Sequence, residues 1–277
     1  MKIGLVNPGA MGASLGAALV RSGHNVLWQA AGRSPATQAR AEAAGLTPVQ
    51  SIDALAESEA LLSVCPPDAA LSVAETVLGA GFDGLYVDAN AVAPMTAKNL
   101  AVMVGSRFVD GGIIGPPAAR PGTTRLYLSG EHAAEVCDWF SDPVLGVHVV
   151  PGEAGAASAL KMCFAAYTKG TSALLLAIRA LATAEGVDEA LLAEWAISQP
   201  DLALRSEGAA RGTAGKAWRF VGEMEEIAAT FADNALPGDF HEAAAEIYQR
   251  MAPLKDAADA DLAAVLARLL ARECASG

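Results

Sequence analysis

The sequence changes its grammar near residue 150, and that change limits the possible folds more than any other feature. Before it, short β-rich runs alternate with helical stretches: Lys2–Val6, Val26–Gln29, Leu61–Val64, Gly84–Asp88, Arg107–Asp110, Arg125–Ser129 and Val147–Val150. Strands spaced by helical segments read as βαβ units, whose strands lie largely parallel in one sheet with helices against its faces. From Pro151 onward no strand signal returns. Helical patterns continue, punctuated near Gly186, Pro200, Gly212, Gly222 and Pro237. Between Glu153 and Glu185 there is no proline and there are only two glycines, so one long helix is expected there. Its run Ala173-Leu-Leu-Leu-Ala-Ile-Arg-Ala-Leu-Ala182 is too apolar to be solvated all round and calls for burial against other helices, those of a partner chain included.

Composition narrows the function. Over 277 residues the chain is 53% hydrophobic, enough for a substantial core, and its 5% of aromatics favours closely packed helices over an aromatic-rich β fold. A formal net charge of -12, with no run of Lys and Arg, leaves no footprint for a phosphate backbone, so nucleic acid is not an expected partner. A strand-like segment begins at Lys2 and no apolar run approaches bilayer length; no membrane association and a cytoplasmic location are expected. Cysteines 65, 137, 163 and 274 form no CxxC and read as ordinary buried residues, and histidines 24, 132, 148 and 241 show no HExxH spacing. No metal site is expected.

The first strand runs into Asn7-Pro8-Gly9-Ala10-Met11-Gly12, a variant of the GxGxxG loop in which Asn7 takes the place of the first glycine. In that loop one glycine makes the tight turn, the second lets backbone approach a pyrophosphate, and the third lets helix and strand pack closely. Asparagine tolerates left-handed backbone better than other residues with a side chain, so the substitution preserves the turn. Gly16 keeps the following helix slim. The context, strand then loop then helix N-terminus, makes this an expected dinucleotide site and the N-terminal domain a Rossmann domain over residues 1–152, with an all-α domain over 153–277. At the end of the second strand, Gln29-Ala-Ala-Gly-Arg33-Ser34 carries no carboxylate for the ribose hydroxyls. Arg33 and Ser34 could instead hold an extra phosphate, so NADP is expected over NAD.

Four landmarks in order carry a family resemblance: Asn7–Gly12; Ser63-Val-Cys65-Pro66-Pro67, with Asn90 after the next strand; Val109-Asp-Gly-Gly112-Ile113-Ile114-Gly115-Pro-Pro-Ala118; and Gly155-Ala-Ala-Ser-Ala-Leu-Lys161-Met162. Over nearly the whole chain the sequence resembles the β-hydroxyacid dehydrogenases, which include 6-phosphogluconate and 3-hydroxyisobutyrate dehydrogenases, with the imine reductases as relatives. Phe240-His-Glu-Ala-Ala-Ala-Glu-Ile-Tyr-Gln-Arg-Met-Ala252 is similar to the tail of a 6-phosphogluconate-dehydrogenase-like subgroup with a distinctive C-terminal domain. The resemblance implies an oxidoreductase acting on a small molecule, with Cys65, Pro66 and Asn90 under the cofactor and Gly112–Gly115 on the substrate. It also implies Lys161 as general acid/base and a homodimer built through the C-terminal helices, with the site where the strand ends meet the long helix. A lysine destabilised by burial can move the hydroxyl proton that accompanies hydride transfer. On the residues alone, without the other landmarks, a lysine snorkelling from an apolar helix is the better account of Lys161.

The sequence also departs from that pattern. Where the family has a substrate-binding asparagine, three or four residues past the lysine, this chain has Phe164 and Ala165. Ile114 stands at the serine of the DxPVSGG segment, with Pro116 and Pro117 after it, which implies a more apolar and more rigid pocket. Glu223 takes the position of a family lysine and shares a helix face with Glu226, beside Glu225; this is either a solvated acidic face or a wall unsuited to a substrate carboxylate. Lys169, Tyr167 and His241 are assigned structural roles. Two other functions stay open: imine reduction at C=N, and a protein that senses NADP without turning it over.

Overall fold

The computed structural model describes residues 1–255, 257 and 260–271; Cys274 lies outside them. The chain forms two compact units, Met1–Met162 and 163–277. The first contains strands β1 (Lys2–Val6), β2 (Asn25–Gln29), β3 (Thr47–Val49), β4 (Ala60–Ser63), β5 (Leu85–Asp88), β6 (Phe108–Ile114), β7 (Thr124–Ser129) and β8 (Leu145–Val149). Its helices are α1 (Ala10–Arg21), α2 (Pro35–Ala43), α3 (Ile52–Ala56), α4 (Ala70–Gly79), α5 (Pro94–Val104) and α6 (Ala133–Cys137), and it includes the start of α7 (Ala156–Ala184).

The strands form one sheet in the order β3-β2-β1-β4-β5-β6-β7-β8. Every pair is parallel except β6 with β7. Side chains that alternate along a strand divide the core in two. Ile3, Leu5, Val26, Trp28, Leu62, Val87 and Leu126 pack with Leu15 and Leu19 of α1, Ala41 of α2 and Val136 of α6. On the other face Leu27, Leu61, Tyr86 and Phe108 pack with Leu55 of α3, Ala74 and Val77 of α4, and Leu100 of α5. The strand order reverses between β1 and β4, and a doubly wound sheet opens its ligand crevice outside the carboxyl ends of the strands at such a point.

Two elements differ from the sequence expectation. β3 gave no strand signal because it is three residues long and contains Pro48, which an edge strand tolerates. β6 runs four residues beyond Asp110, through Gly111 and Gly112, where the glycine pair suggested a loop. Antiparallel pairing with β7 carries the strand on to Ile114. The first unit also continues ten residues past 152, since the opening of α7 is hydrogen-bonded to β6.

The second unit contains the rest of α7 with α8 (Asp188–Ser198), α9 (Leu202–Thr213), α10 (Ala217–Asp233), α11 (Asp239–Met251) and α12 (Leu262–Leu270). The α10–α11 hairpin buries Met224 and Ile227 on one side and Ala244, Tyr248 and Met251 on the other. A Cβ on Gly238 would lie 2.7 Å from the Ala228 carbonyl oxygen, so glycine is required at that corner. The buried Arg179 grips Asp188 with two bonds, Nε to Oδ1 at 2.7 Å and Nη2 to Oδ2 at 2.9 Å, and donates to Ser206 Oγ at 2.9 Å. Among the described residues no helix is long and apolar enough to cross a membrane.

Candidate active site

The loop between β1 and α1 forms a cradle at the N-terminus of that helix. Asn7 has φ +60, inside the left-handed region, and its carbonyl accepts the Gly9 amide at 2.7 Å, which turns the chain sharply into α1. A Cβ on Gly12 would sit 2.6 Å from that same carbonyl, so a side chain cannot replace the hydrogen there. A Cβ on Gly9 would meet nothing closer than 4.0 Å, which leaves the outer side of the turn open for a bulky group. Gly9 caps α1 without a side-chain hydrogen bond, and the first-turn amides of Ala10, Met11 and Gly12 point where an anion is stabilised by the helix terminus. These residues fit a dinucleotide pyrophosphate. Gly16 packs under Leu46 and Leu5, where a Cβ would lie 2.8 and 3.0 Å away.

Beyond β2, Ser34 is the N-cap of α2 and accepts the Thr37 amide at 3.3 Å, so its hydroxyl oxygen already has a structural task. Arg33 is partly exposed in the turn just before it. Arg40 donates from Nη1 to the Pro8 carbonyl at 3.3 Å and brings a second guanidinium to the edge of the loop. Sequence reading passed over Arg40, because its position in a polar helix gives no hint that it turns back to the loop after β1.

Next to the cradle, Asn90 is used internally. Its Oδ1 accepts the Cys65 amide at 2.5 Å, while Nδ2 donates to Asp88 Oδ1 at 2.5 Å and to Ser63 Oγ at 3.3 Å. Asn90 is buried, so its role is to brace the turn Cys65–Pro66 under the crevice rather than to present its amide to a ligand. Burial pushes the Cys65 thiol up to about 11, which keeps it neutral. Asp88 is fully enclosed; burial first, and then the neighbouring Asp110, push its carboxyl up to about 8, against hydrogen bonds from Asn90 that favour the ionised form.

Asp110 lies beside Asp88 in the register of β5 and β6. Its Oδ2 accepts from Ser129 Oγ at 2.9 Å and from the amides of Gly155 at 2.9 Å and Ser158 at 3.0 Å; its Oδ1 accepts from Ser158 Oγ at 2.6 Å. Two residues along β6, a Cβ on Gly112 would come within 2.7 Å of the Ala157 carbonyl oxygen and 3.0 Å of Lys161 Cβ. Only glycine lets α7 lie this close to the strand. Lys161 therefore stands directly beside Gly112 near the end of β6.

The other candidates have different surroundings. Ile113 points to the opposite face of the sheet and is part of the core with α1 and α6, so it does not share Gly112's side. Ile114 is buried. Gly115 has φ +121, and a Cβ there would be 2.2 Å from the Thr123 carbonyl oxygen. The loop it opens is pinned by Thr124 Oγ1 to the Pro116 carbonyl at 2.6 Å and by the Ala118 amide to Ser14 Oγ of α1 at 3.0 Å.

Phe164, Ala165 and Glu223 belong to the second unit. Phe164 is exposed and Ala165 buried. Glu223 is not part of a free acidic face: it forms an ion pair with Lys169, whose ammonium also lies 4.7 Å from the Phe220 ring centroid. Tyr248 donates its hydroxyl to the Lys169 carbonyl at 2.8 Å. His241 is buried between Phe231 and Phe240, with ring centroids 4.5 and 5.2 Å away. Among the described residues no group of three or more His, Cys, Asp or Glu gathers as metal ligands.

Comparison with known proteins adds the family context. A family described as a domain of unknown function, DUF1932, matches residues 182–251. An uncharacterised 28.5 kDa protein of Methanothermus fervidus, encoded in the 7S RNA 5' region, is 32% identical over 165 residues. That match takes in 58% of this chain and 63% of the relative, so the chain spans less than two thirds of the relative's length. The conserved protein MTH1747, of unknown function and described as structurally similar to 3-hydroxyacid dehydrogenases, is 27% identical at a TM-score of 0.67, covering 94% of this chain and 100% of its own. The 3-hydroxyisobutyrate dehydrogenase of Mycobacterium tuberculosis, solved with L-serine, superposes at a TM-score of 0.71 with 21% identity, over 98% and 99% of the two chains. The chain has the fold of that hydroxyacid dehydrogenase. An imine reductase from Streptomyces aurantiacus shares the same fold at a TM-score of 0.54 and 20% identity, over 98% and 100% of the two chains.

Proposed function

We propose that the protein is an NADP-dependent oxidoreductase that moves a hydride between the nicotinamide and a hydroxyl or carbonyl carbon of a small molecule. The observation that carries this reading is the seating of Lys161 against Gly112, on the same compact unit as the cradle Asn7–Gly12. Bound NADP supplies the hydride chemistry. The first-turn amides of α1 hold its pyrophosphate, Arg33 and Arg40 favour the extra phosphate, and the neutral turn Cys65–Pro66, braced by Asn90, forms an uncharged floor. Lys161 Nζ accepts the substrate hydroxyl proton in oxidation and returns it in reduction.

Imine reduction is the second reading. It is favoured by Phe164 and Ala165, which stand where the resemblance places a substrate-binding asparagine. Lys161 weighs against it, because an ammonium next to an iminium is repulsive. NADPH-linked assays over a panel of carbonyls, alcohols and cyclic imines separate the two, and turnover of imines alone rejects the first. In Lys161→Met, turnover is expected to fall about 10²–10⁴-fold, the usual worth of a general acid or base. Full activity with an unchanged pH profile rejects the assignment of Lys161. A homodimer through the helical unit is part of this reading, supported by Leu181, Ile197 and Leu204, which are 62%, 82% and 68% exposed.

A further inference from the structure

We propose that Asp110 is a positioning residue for Lys161: its carboxylate locks the first turn of α7 onto β6 in the one register that seats Lys161 against Gly112. The inference rests on the reading of Lys161 as the proton carrier.

Asp110 is 0% exposed and receives four hydrogen bonds, from Ser129 Oγ, the Gly155 and Ser158 amides, and Ser158 Oγ. All four partners donate, so the acceptor-only form of the side chain, the carboxylate, is the one that satisfies them. Two of the donors are amides at the N-terminal end of a long helix, where a negative charge is stabilised by the helix dipole as well. Ser129 extends the clamp by accepting the Ala157 amide at 3.0 Å. β7, β6 and the opening of α7 are thus stitched through one side chain.

The stitch fixes a register. Ser158 and Lys161 are three residues apart on one helix face, and Asp110 and Gly112 are two apart on one strand face. Ser158 bonded to Asp110 therefore places Ala157 and Lys161 over Gly112, where the missing Cβ leaves room. Sliding or turning the helix by one residue breaks all three bonds from 155–158 to Asp110, and the Ala157 bond to Ser129 with them, and lifts Lys161 from its seat. The adjacent carboxyl, Asp88, is pushed toward its neutral form by burial.

The test uses Asp110→Asn in the full chain, which keeps the shape but places an amide where donors already converge. Two measurements need no substrate: hydrogen exchange at the amides of 155–158, and acylation of Lys161 by a water-soluble acetyl N-hydroxysuccinimide ester, followed by mass spectrometry with Lys2 and Lys216 as internal references. Faster exchange at 155–158 is expected, together with an acylation rate of Lys161 changed by about threefold or more relative to the references, as a change of its access would give. With a substrate from the panel, kcat is expected to fall about tenfold or more while the KM for NADPH holds, as misplacement of a reacting group by a fraction of an ångström would give. Exposed amides with unchanged Lys161 acylation and unchanged kcat overturn the proposal and leave Asp110 as a helix cap alone. If Asp110→Asn fails to fold, Ser158→Ala removes one bond and keeps the charge; unchanged acylation in that variant also overturns it. A fully active Lys161→Met would reject the catalytic reading but leave the acylation result standing, so the two failures are distinguishable.

Discussion

Replacing Asp88 by asparagine should flatten the pH dependence of stability between about pH 4 and pH 8. The native carboxyl is pushed up to about 8, chiefly by burial, from a usual value of 3.8. Below the lower value both folded and unfolded chains hold the proton, and the group costs nothing. As pH rises between the two values the unfolded chain ionises while the native state stays neutral, so native stability declines; it levels off above the folded value. One proton of difference corresponds to about 1.4 kcal/mol per pH unit, so going from pH 5 to pH 7 removes on the order of 3 kcal/mol. In Asp88→Asn the new amide oxygen can still accept from Asn90 Nδ2, and the side chain has no charge to suppress. Urea unfolding at pH 5, 6, 7 and 8 measures the effect. Asp88→Asn should match or trail the wild type at pH 5 and gain on it by on the order of 1 kcal/mol per pH unit above that. A stability difference that does not vary from pH 5 to pH 8 would refute the reasoning, since it would mean that Asp88 is ionised in both states.

Three other outcomes are expected. Gly112→Ala forces a Cβ to 2.7 Å from the Ala157 carbonyl oxygen; a loss of about 1–3 kcal/mol is expected by denaturant unfolding, the usual range for overpacking, together with reduced turnover because Lys161 must move. Arg33→Ala should weaken NADPH binding by about tenfold or more and leave NADH little changed, read by fluorescence titration; equal losses for both would remove Arg33 from the phosphate site. Burial holds the His241 imidazole below its usual 6.5. Stability should therefore fall as pH drops below that value, because the unfolded chain takes up the proton first, and His241→Gln should lessen the fall in Tm.

The sequence was informative wherever a local rule decided the structure. Asn7 was legible as a left-handed turn residue because its identity and the loop around it determine φ. The long helix was legible because a stretch free of proline with helical apolar spacing has few other options. The clamp around Asp110 was not: Asp110, Gly155 and Ser158 lie inside two of the landmarks, but nothing local pairs those segments with each other or with Ser129 of β7. The same holds for Asn90, placed under the cofactor by the resemblance: only tertiary structure shows its amide occupied by Cys65, Ser63 and Asp88. Glu223 looked like part of an acidic face because its partner Lys169 lies 54 residues earlier, on another helix.

The loop from Gly115 to Thr123 has a thermodynamic consequence. Three prolines, a glycine at φ +121 and hydrogen bonds to Thr124 and to Ser14 hold it in one conformation before any ligand arrives. Its ordering entropy is spent during folding, so a ligand that meets this wall binds without that penalty and without waiting for the wall to close. Under the proposed function the same stiffness would limit its range: a wall that cannot yield rejects by collision, and a search for wider substrate scope would begin by replacing Pro116 or Pro117.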